Sequence, residues 1–339
     1  MYCSGNASHF FMSQPSYIPK EYLQIKKQSN NFVTYLSKRQ NLKTNTIMKK
    51  YAINILVILF LLTPFTLFAN GCHANNDTIK VLAIGNSFSQ DAVEQYLHEL
   101  GEAEGITMII GNMFIGGCSL ERHVQNIRNN APAYAYRKVE KDGEKTETRS
   151  MTIEKALADE KWDYISVQQA SPLSGIYDSY KASLPELVNY IRERIGKETV
   201  LMVHQTWAYA TNANHTGFKN YDQNQMKMYT SIVDAVKKAA NLVGIKKIIP
   251  SGTAIQNART SFIGDHMNRD GYHLDLTIGR YTAACTWFEA LTHQNVTENP
   301  YSPEGMDPIH KKAAQMAAHN AILYPDKVTE LTELKKIAD

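Results

Sequence analysis

Apolar and polar residues alternate in blocks along this chain. The unbroken apolar run at 79–84 predicts a buried parallel strand. Similar runs recur at 106–111, 162–168, 199–203 and 245–250. Between them the period lengthens to that of a helix. Residues 91–104 place Ala92, Val93, Tyr96, Leu97 and Leu100 on one face and stop at Gly105. Further helices are predicted at 120–129, 152–160, 180–195 (Pro185 near the first turn), 224–242, 275–291 and 308–323. Five strand–helix alternations in one domain's length predict a parallel sheet covered on both faces, a three-layer α/β/α sandwich. Residues 134–149 break the rhythm. They alternate side chains around Asp142-Gly143, the signal of a hairpin, and are expected as a surface β-hairpin insertion.

The first fifth of the chain has a different pattern. Residues 1–50 hold eight Lys/Arg and one acid, Glu21, with no amphipathic period. Met48-Lys-Lys is followed by an uncharged, mostly apolar run at 52–69 that contains Pro64. A short basic start, an apolar core and a small-residue exit describe a secretory signal rather than a spanning helix. The expected organisation is an over-read or disordered leader at 1–47, a signal peptide at 48–72 and a single domain at 73–339 with the hairpin insertion near 134–149. Cys72 follows Ala69-Asn-Gly, a loose lipoprotein box, so lipidation of Cys72 or plain cleavage nearby is expected. Either way the product is expected to be exported, periplasmic or lipid-anchored at a bacterial surface.

Charge follows the same division. The whole chain is +3, and residues 1–50 carry +7, so the remainder carries −4. A mildly acidic exported part argues against a nucleic-acid surface. Beyond Cys72 only Cys118 and Cys285 remain, which is neither a disulfide framework nor a zinc pattern. Both are expected as small buried groups.

The candidate chemistry sits where strands end. The first strand runs into Gly85-Asn86-Ser87 at a helix entrance. There a hydroxyl reaches the carboxyl edge of the sheet, where open α/β sheets bind ligands. A serine needs a base, and the base needs an orienter. Asp270-Gly-Tyr-His273 supplies both: an aspartate three residues before a histidine can hold Nδ1–H and leave Nε2 as the base. Oxyanion donors are available from the Ser87 N–H, from Gly117 in Ile-Gly-Gly-Cys-Ser, and from an amide at the third strand's end, Gln168 or Gln169. His204, His215 and His266 are competing bases. They show no metal-binding spacing, and no metal is expected. Gln169, His204, Trp207, Tyr209 and Tyr272 are expected to line the substrate pocket, with tyrosines able to stack on a sugar.

Taken together these blocks resemble the SGNH hydrolases, the GDSL-like lipase/acylhydrolase superfamily. The resemblance spans residues 79–323. Its blocks are Gly85-Asn86-Ser87, the loop 112–119 with Gly117, and Asp270-x-x-His273 followed by Gly279. Asn86 stands where the family has Asp. The family's third-block Asn is absent, and Gln168 in Val-Gln-Gln-Ala-Ser stands nearest to it. The resemblance implies a flavodoxin-like sheet and a serine esterase acting through an acyl-enzyme without a cofactor. Ser87 would be the nucleophile, His273 the base and Asp270 its orienter. Ser87, Gly117 and Gln168 would form the oxyanion hole. An acylated carbohydrate, most simply O-acetylated, is the expected substrate. Two alternatives stay open: a lipid esterase or thioesterase, which needs an apolar trough near Phe88 and Phe114, and a non-catalytic glycan-binding lipoprotein.

Overall fold

The computed structural model describes residues 78–335. The expected leader, signal peptide and Cys72 site lie outside the described residues. Seven strands form one sheet: β1 (Thr78–Gly85), β2 (Thr107–Phe114), β3 (Tyr134–Val139), β4 (Lys145–Met151), β5 (Tyr164–Val167), β6 (Val200–His204) and β7 (Lys247–Ile249). Their order is β4-β3-β2-β1-β5-β6-β7. The five strands β2-β1-β5-β6-β7 are mutually parallel. In order of appearance these five run second, first, third, fourth, fifth, the flavodoxin-like arrangement, whose ligand crevice opens beside the first strand. The sandwich expected from the sequence is therefore present, with helices on both faces.

The hairpin corrects one expectation. It is not a surface appendage: β3 pairs antiparallel with β2, and β4 with β3, so the sheet extends to seven strands. Tyr134, Tyr136 and Val139 bury against the core, while β4, at the free edge, is exposed along Lys145–Ser150. Charged residues on that edge discourage pairing with another chain.

Val81, Leu82, Ala83 and Ile84 are each at most 1% exposed, because helices cover β1 from both sides. The helices are α1 (Ser87–Val93), α2 (Leu97–Glu102), α3 (Leu120–Arg128), α4 (Ile153–Asp159), α5 (Asp178–Lys181), α6 (Leu184–Arg192), α7 (Gln225–Leu242), α8 (Ser251–Ala258), α9 (Ile278–Thr292) and α10 (Pro308–Leu323). The predicted helix at 91–104 is two helices. Tyr96 takes the left-handed conformation (φ 68°) and breaks the chain between α1 and α2. The predicted helix at 180–195 is likewise divided into α5 and α6, with the break at Ala182-Ser183 and Pro185 in the first turn of α6. Helix α8 was not foreseen. Its residues are buried on every side, so it has no amphipathic period to read.

Cys118 and Cys285 are free and buried, as expected. No helix among the described residues is long and apolar enough to cross a membrane.

Candidate active site

Strand β1 delivers Ser87 to the first turn of α1. Asn86 caps that helix: its Oδ1 accepts from the Phe88 N–H at 3.0 Å, and Ser89 Oγ accepts from the Asn86 N–H at 3.1 Å. Gly85 is required here because of crowding. A Cβ on it would lie 2.5 Å from Ser89 Oγ and 2.9 Å from Gln168 Cδ. The turn leaves Ser87 partly exposed at the sheet's carboxyl edge, with Phe88 buried beneath.

His273 and Asp270 lie together on the loop before α9. His273 Nδ1 donates to Asp270 Oδ2 at 2.6 Å, which leaves Nε2 as the basic atom. Asp270 Oδ1 also accepts from the backbone N–H groups of His273 (2.7 Å) and Tyr272 (3.1 Å). Burial pushes the Asp270 carboxyl up, but these hydrogen bonds outweigh it and hold the carboxyl below its ordinary 3.8. Gly271 makes the tight turn possible at φ +89°, and a Cβ there would meet Ala213 Cα at 2.8 Å.

The Ser87 and His273 loops are fastened to each other. Asp91, one helical turn after Ser87 and fully buried, accepts from the Leu274 N–H at 2.9 Å. Arg280 reaches the same carboxylate at 2.7 Å and Arg269 at 3.2 Å. Trp207 adds a second tie. Its ring stacks on Phe88 (centroids 4.3 Å apart), and its Nε1–H donates to the Tyr272 carbonyl at 2.8 Å. The rings of Phe88 and His273 are 6.1 Å apart. No hydrogen bond joins the Ser87 hydroxyl to His273 in this structure.

The oxyanion candidates fare differently. Gly117 is exposed on the β2–α3 loop in the left-handed conformation (φ +62°). Asn86 Nδ2 donates to the next residue's carbonyl, Cys118 O, at 3.0 Å, which ties this loop to the Ser87 turn. No described acceptor takes the Ser87 or Gly117 backbone N–H. Gln168 is buried, with Nε2 donating to Asn86 Oδ1 at 2.9 Å and Oε1 bound to His204 Nδ1 at 2.7 Å.

Four expected pocket residues are corrected. Gln169, His204, Trp207 and Tyr209 are, like Gln168, at most 2% exposed, and their polar side-chain atoms are taken up by protein partners, so they support the site from behind and do not line it. Gln169 is a clamp. Its oxygen accepts from the Leu120 and Ala170 N–H groups, and its amide donates to Ser179 O and Oγ. Only Tyr272 of the expected set is partly exposed. Its ring lies 4.3 Å from His273 and meets His215 edge-on at 5.0 Å.

The competing bases separate clearly. Burial pushes His204 down to about 3, so it is neutral. His215 is also pushed down, by burial and by the neighbouring His273, and its Nδ1 accepts from the Gly217 N–H. Asp265 serves Thr211, Gln225 and Arg259 and does not orient His266. Cys118 is an inert thiol, pushed up to about 12 by burial. Among the described residues no group of three His, Cys, Asp or Glu side chains could hold a metal.

A family model described as "Domain of unknown function (DUF4886)" matches residues 80–321. The chain belongs to the DUF4886 family. It is similar to a DUF4886 family protein from Bacteroides uniformis ATCC 8492 whose crystal structure is known. The identity is 99% over 76% of this chain and all of that one, with a TM-score of 0.76. It is also similar, far more distantly, to Axe2, an acetylxylan esterase from Geobacillus stearothermophilus. There the identity is 12%, covering 64% of this chain and 95% of that one, with a TM-score of 0.43. Nothing about substrate or mechanism follows from likeness at that level. No curated protein matches this chain.

Asp91, at the candidate site, is a residue that sequence reasoning missed. Little signal was available, because Asp91 is flanked by Ser89, Gln90, Glu94 and Gln95 as well as by Ala92 and Val93. A buried charge there demands partners, and the partners are remote in sequence.

Proposed function

We propose that this DUF4886 protein is a serine esterase of the SGNH type. Ser87 Oγ attacks the ester carbonyl carbon while His273 Nε2 takes its proton. The tetrahedral oxyanion is met by the N–H groups of Ser87 and Gly117 and by an amide hydrogen of Gln168. As the C–O bond breaks, His273 returns the proton to the departing alcohol, and Ser87 keeps the acyl group. Water, deprotonated by the same imidazole, then releases the acid. Asp270 holds the tautomer and faces the imidazolium that forms.

One observation carries the reading. The 2.6 Å Asp270–His273 pair sits on a loop bolted by Asp91 to the helix that starts with Ser87.

A small acyl group, such as acetyl on a carbohydrate, suits this site better than a fatty chain. The trough needed by a lipid would use Phe88 and Phe114. Phe88 is 1% exposed and stacked on Trp207, and Phe114 lies under the Arg137 guanidinium at 4.0 Å. The partly exposed Tyr272 and His215 offer ring surfaces to a sugar instead. Export, with attachment through Cys72 where it is lipidated, belongs to the same reading and rests on the leader sequence.

Labelling with a fluorophosphonate tests the proposal. The adduct is expected on Ser87 and is expected to vanish in His273→Ala. An unlabelled parent protein that hydrolyses no ester would leave the glycan-binding alternative.

A further inference from the structure

We infer that His204 is a positioning residue for the oxyanion hole, holding Gln168 through a buried relay whose polarity the backbone fixes. The inference rests on the esterase reading above and adds to it how the third donor is aimed.

The relay can be read from its fixed end. The Phe88 N–H can only donate, and it faces Asn86 Oδ1; the Cys118 carbonyl can only accept, and it faces Asn86 Nδ2. The Asn86 amide therefore cannot be turned over. The Gln168 atom at Asn86 Oδ1 must then be the nitrogen, which puts Gln168 Oε1 against His204 Nδ1. His204 must carry its proton on Nδ1. Its Nε2 is left bare and accepts from the Ser251 hydroxyl at 3.0 Å. Asn86, Gln168, His204 and Ser251 are each at most 2% exposed, so water does not compete for these bonds.

Three consequences bear on the chemistry. Asn86 engages one of the two Gln168 amide hydrogens, and one is left over. Gln169 has its amide nitrogen turned to Ser179, against both the carbonyl and Oγ of that residue. Gln168 is therefore the one of the pair whose amide is turned toward the nucleophile's turn, and its Cδ packs against Gly85 beside Ser87. The substitutions at the first and third blocks also explain each other. An aspartate at 86 would set a carboxylate oxygen against the Cys118 carbonyl, whereas Asn86 donates there and still accepts from the longer Gln168.

Paired substitutions test the role. Asparagine can place an N–H near the position of Nδ1, whereas glutamine places one near Nε2. His204→Asn is expected to keep kcat on p-nitrophenyl acetate within roughly fivefold of the parent. His204→Gln is expected to lose roughly tenfold to a hundredfold in kcat with KM little changed, short of the ~10²–10³ typical of deleting a donor outright. Both variants are equally buried changes, so a fold defect would move them together. Equal kcat in two folded variants would overturn the inference. Nitrogen NMR of the His204 imidazole supplies a readout apart from activity. The expected signature is protonated Nδ1 with bare Nε2, unchanged across neutral pH and altered in Gln168→Leu. An Nε2-protonated ring would overturn the relay even in an active enzyme. A parent with the expected ring signature but no labelling at Ser87 would overturn the esterase reading, and the positioning role with it, while the relay itself stood.

Discussion

Asp91 accepts a hydrogen bond from the Leu274 backbone N–H at 2.9 Å, and this joins the helix that begins with Ser87 to the loop that presents His273. The carboxylate is fully buried and faces Arg269 and Arg280, so it is matched by charge on the far side. Removing its charge leaves two guanidinium groups around a neutral amide. Breaking such a pair costs about 3–5 kcal/mol. Asp91→Asn is therefore expected to lower the denaturation midpoint sharply and to depress ester hydrolysis further than stability alone explains. Urea titration and kcat at a temperature where the variant is folded check both parts. Unchanged hydrolysis in the folded variant would separate Asp91 from the site.

Gly271 gives a second expectation. Its φ of +89° and the 2.8 Å approach to Ala213 Cα leave no room for a side chain. Gly271→Ala should cost on the order of 1–2 kcal/mol from backbone strain alone. It should also loosen the Asp270–His273 turn. A drop in thermal midpoint with a matching loss of fluorophosphonate labelling is the expected pair of results.

The Asp270 carboxyl predicts a pH dependence of stability. Its hydrogen bonds hold it below 3.8 when folded, so the folded state binds its proton less readily than the unfolded chain does. The stabilisation is complete above the ordinary aspartate range. It is lost as pH falls through the depressed folded value. Asp270→Asn should flatten the stability curve below about pH 4 relative to the parent, with little effect on its slope at neutral pH. Chemical denaturation at a series of acidic pH values measures this. A parallel pair of curves would show that the carboxyl is not stabilised in the folded state.

Acyl-chain preference follows from the buried Phe88 and the capped Phe114. On p-nitrophenyl esters, kcat/KM for acetyl should exceed that for octanoyl by roughly tenfold or more, because longer chains meet no apolar trough. A rise in kcat/KM with chain length would favour the lipid esterase alternative.

The sequence by itself determined the five parallel strands of the sheet and the Asp270–His273 pairing. Those features are local: a buried strand is a short apolar run, and an acid three residues from a histidine on a turn meets it without help from the rest of the chain. Helices with one apolar face, such as α3 and α7, were legible for the same reason. Tertiary structure decided what depends on partners far away. The hairpin at 134–149 alternates in sequence whether it stands free or pairs, and only β2's open edge made it part of the sheet. Gln169, His204, Trp207 and Tyr209 have the residue types of a pocket. Whether they face solvent depends on what packs over them, and here each is covered. The Asp91–Leu274 bond and the Asn86–Gln168–His204 relay cross long stretches of chain. Hydrogen bonds of that kind leave no period and no spacing, so only the folded molecule reveals which polar groups meet.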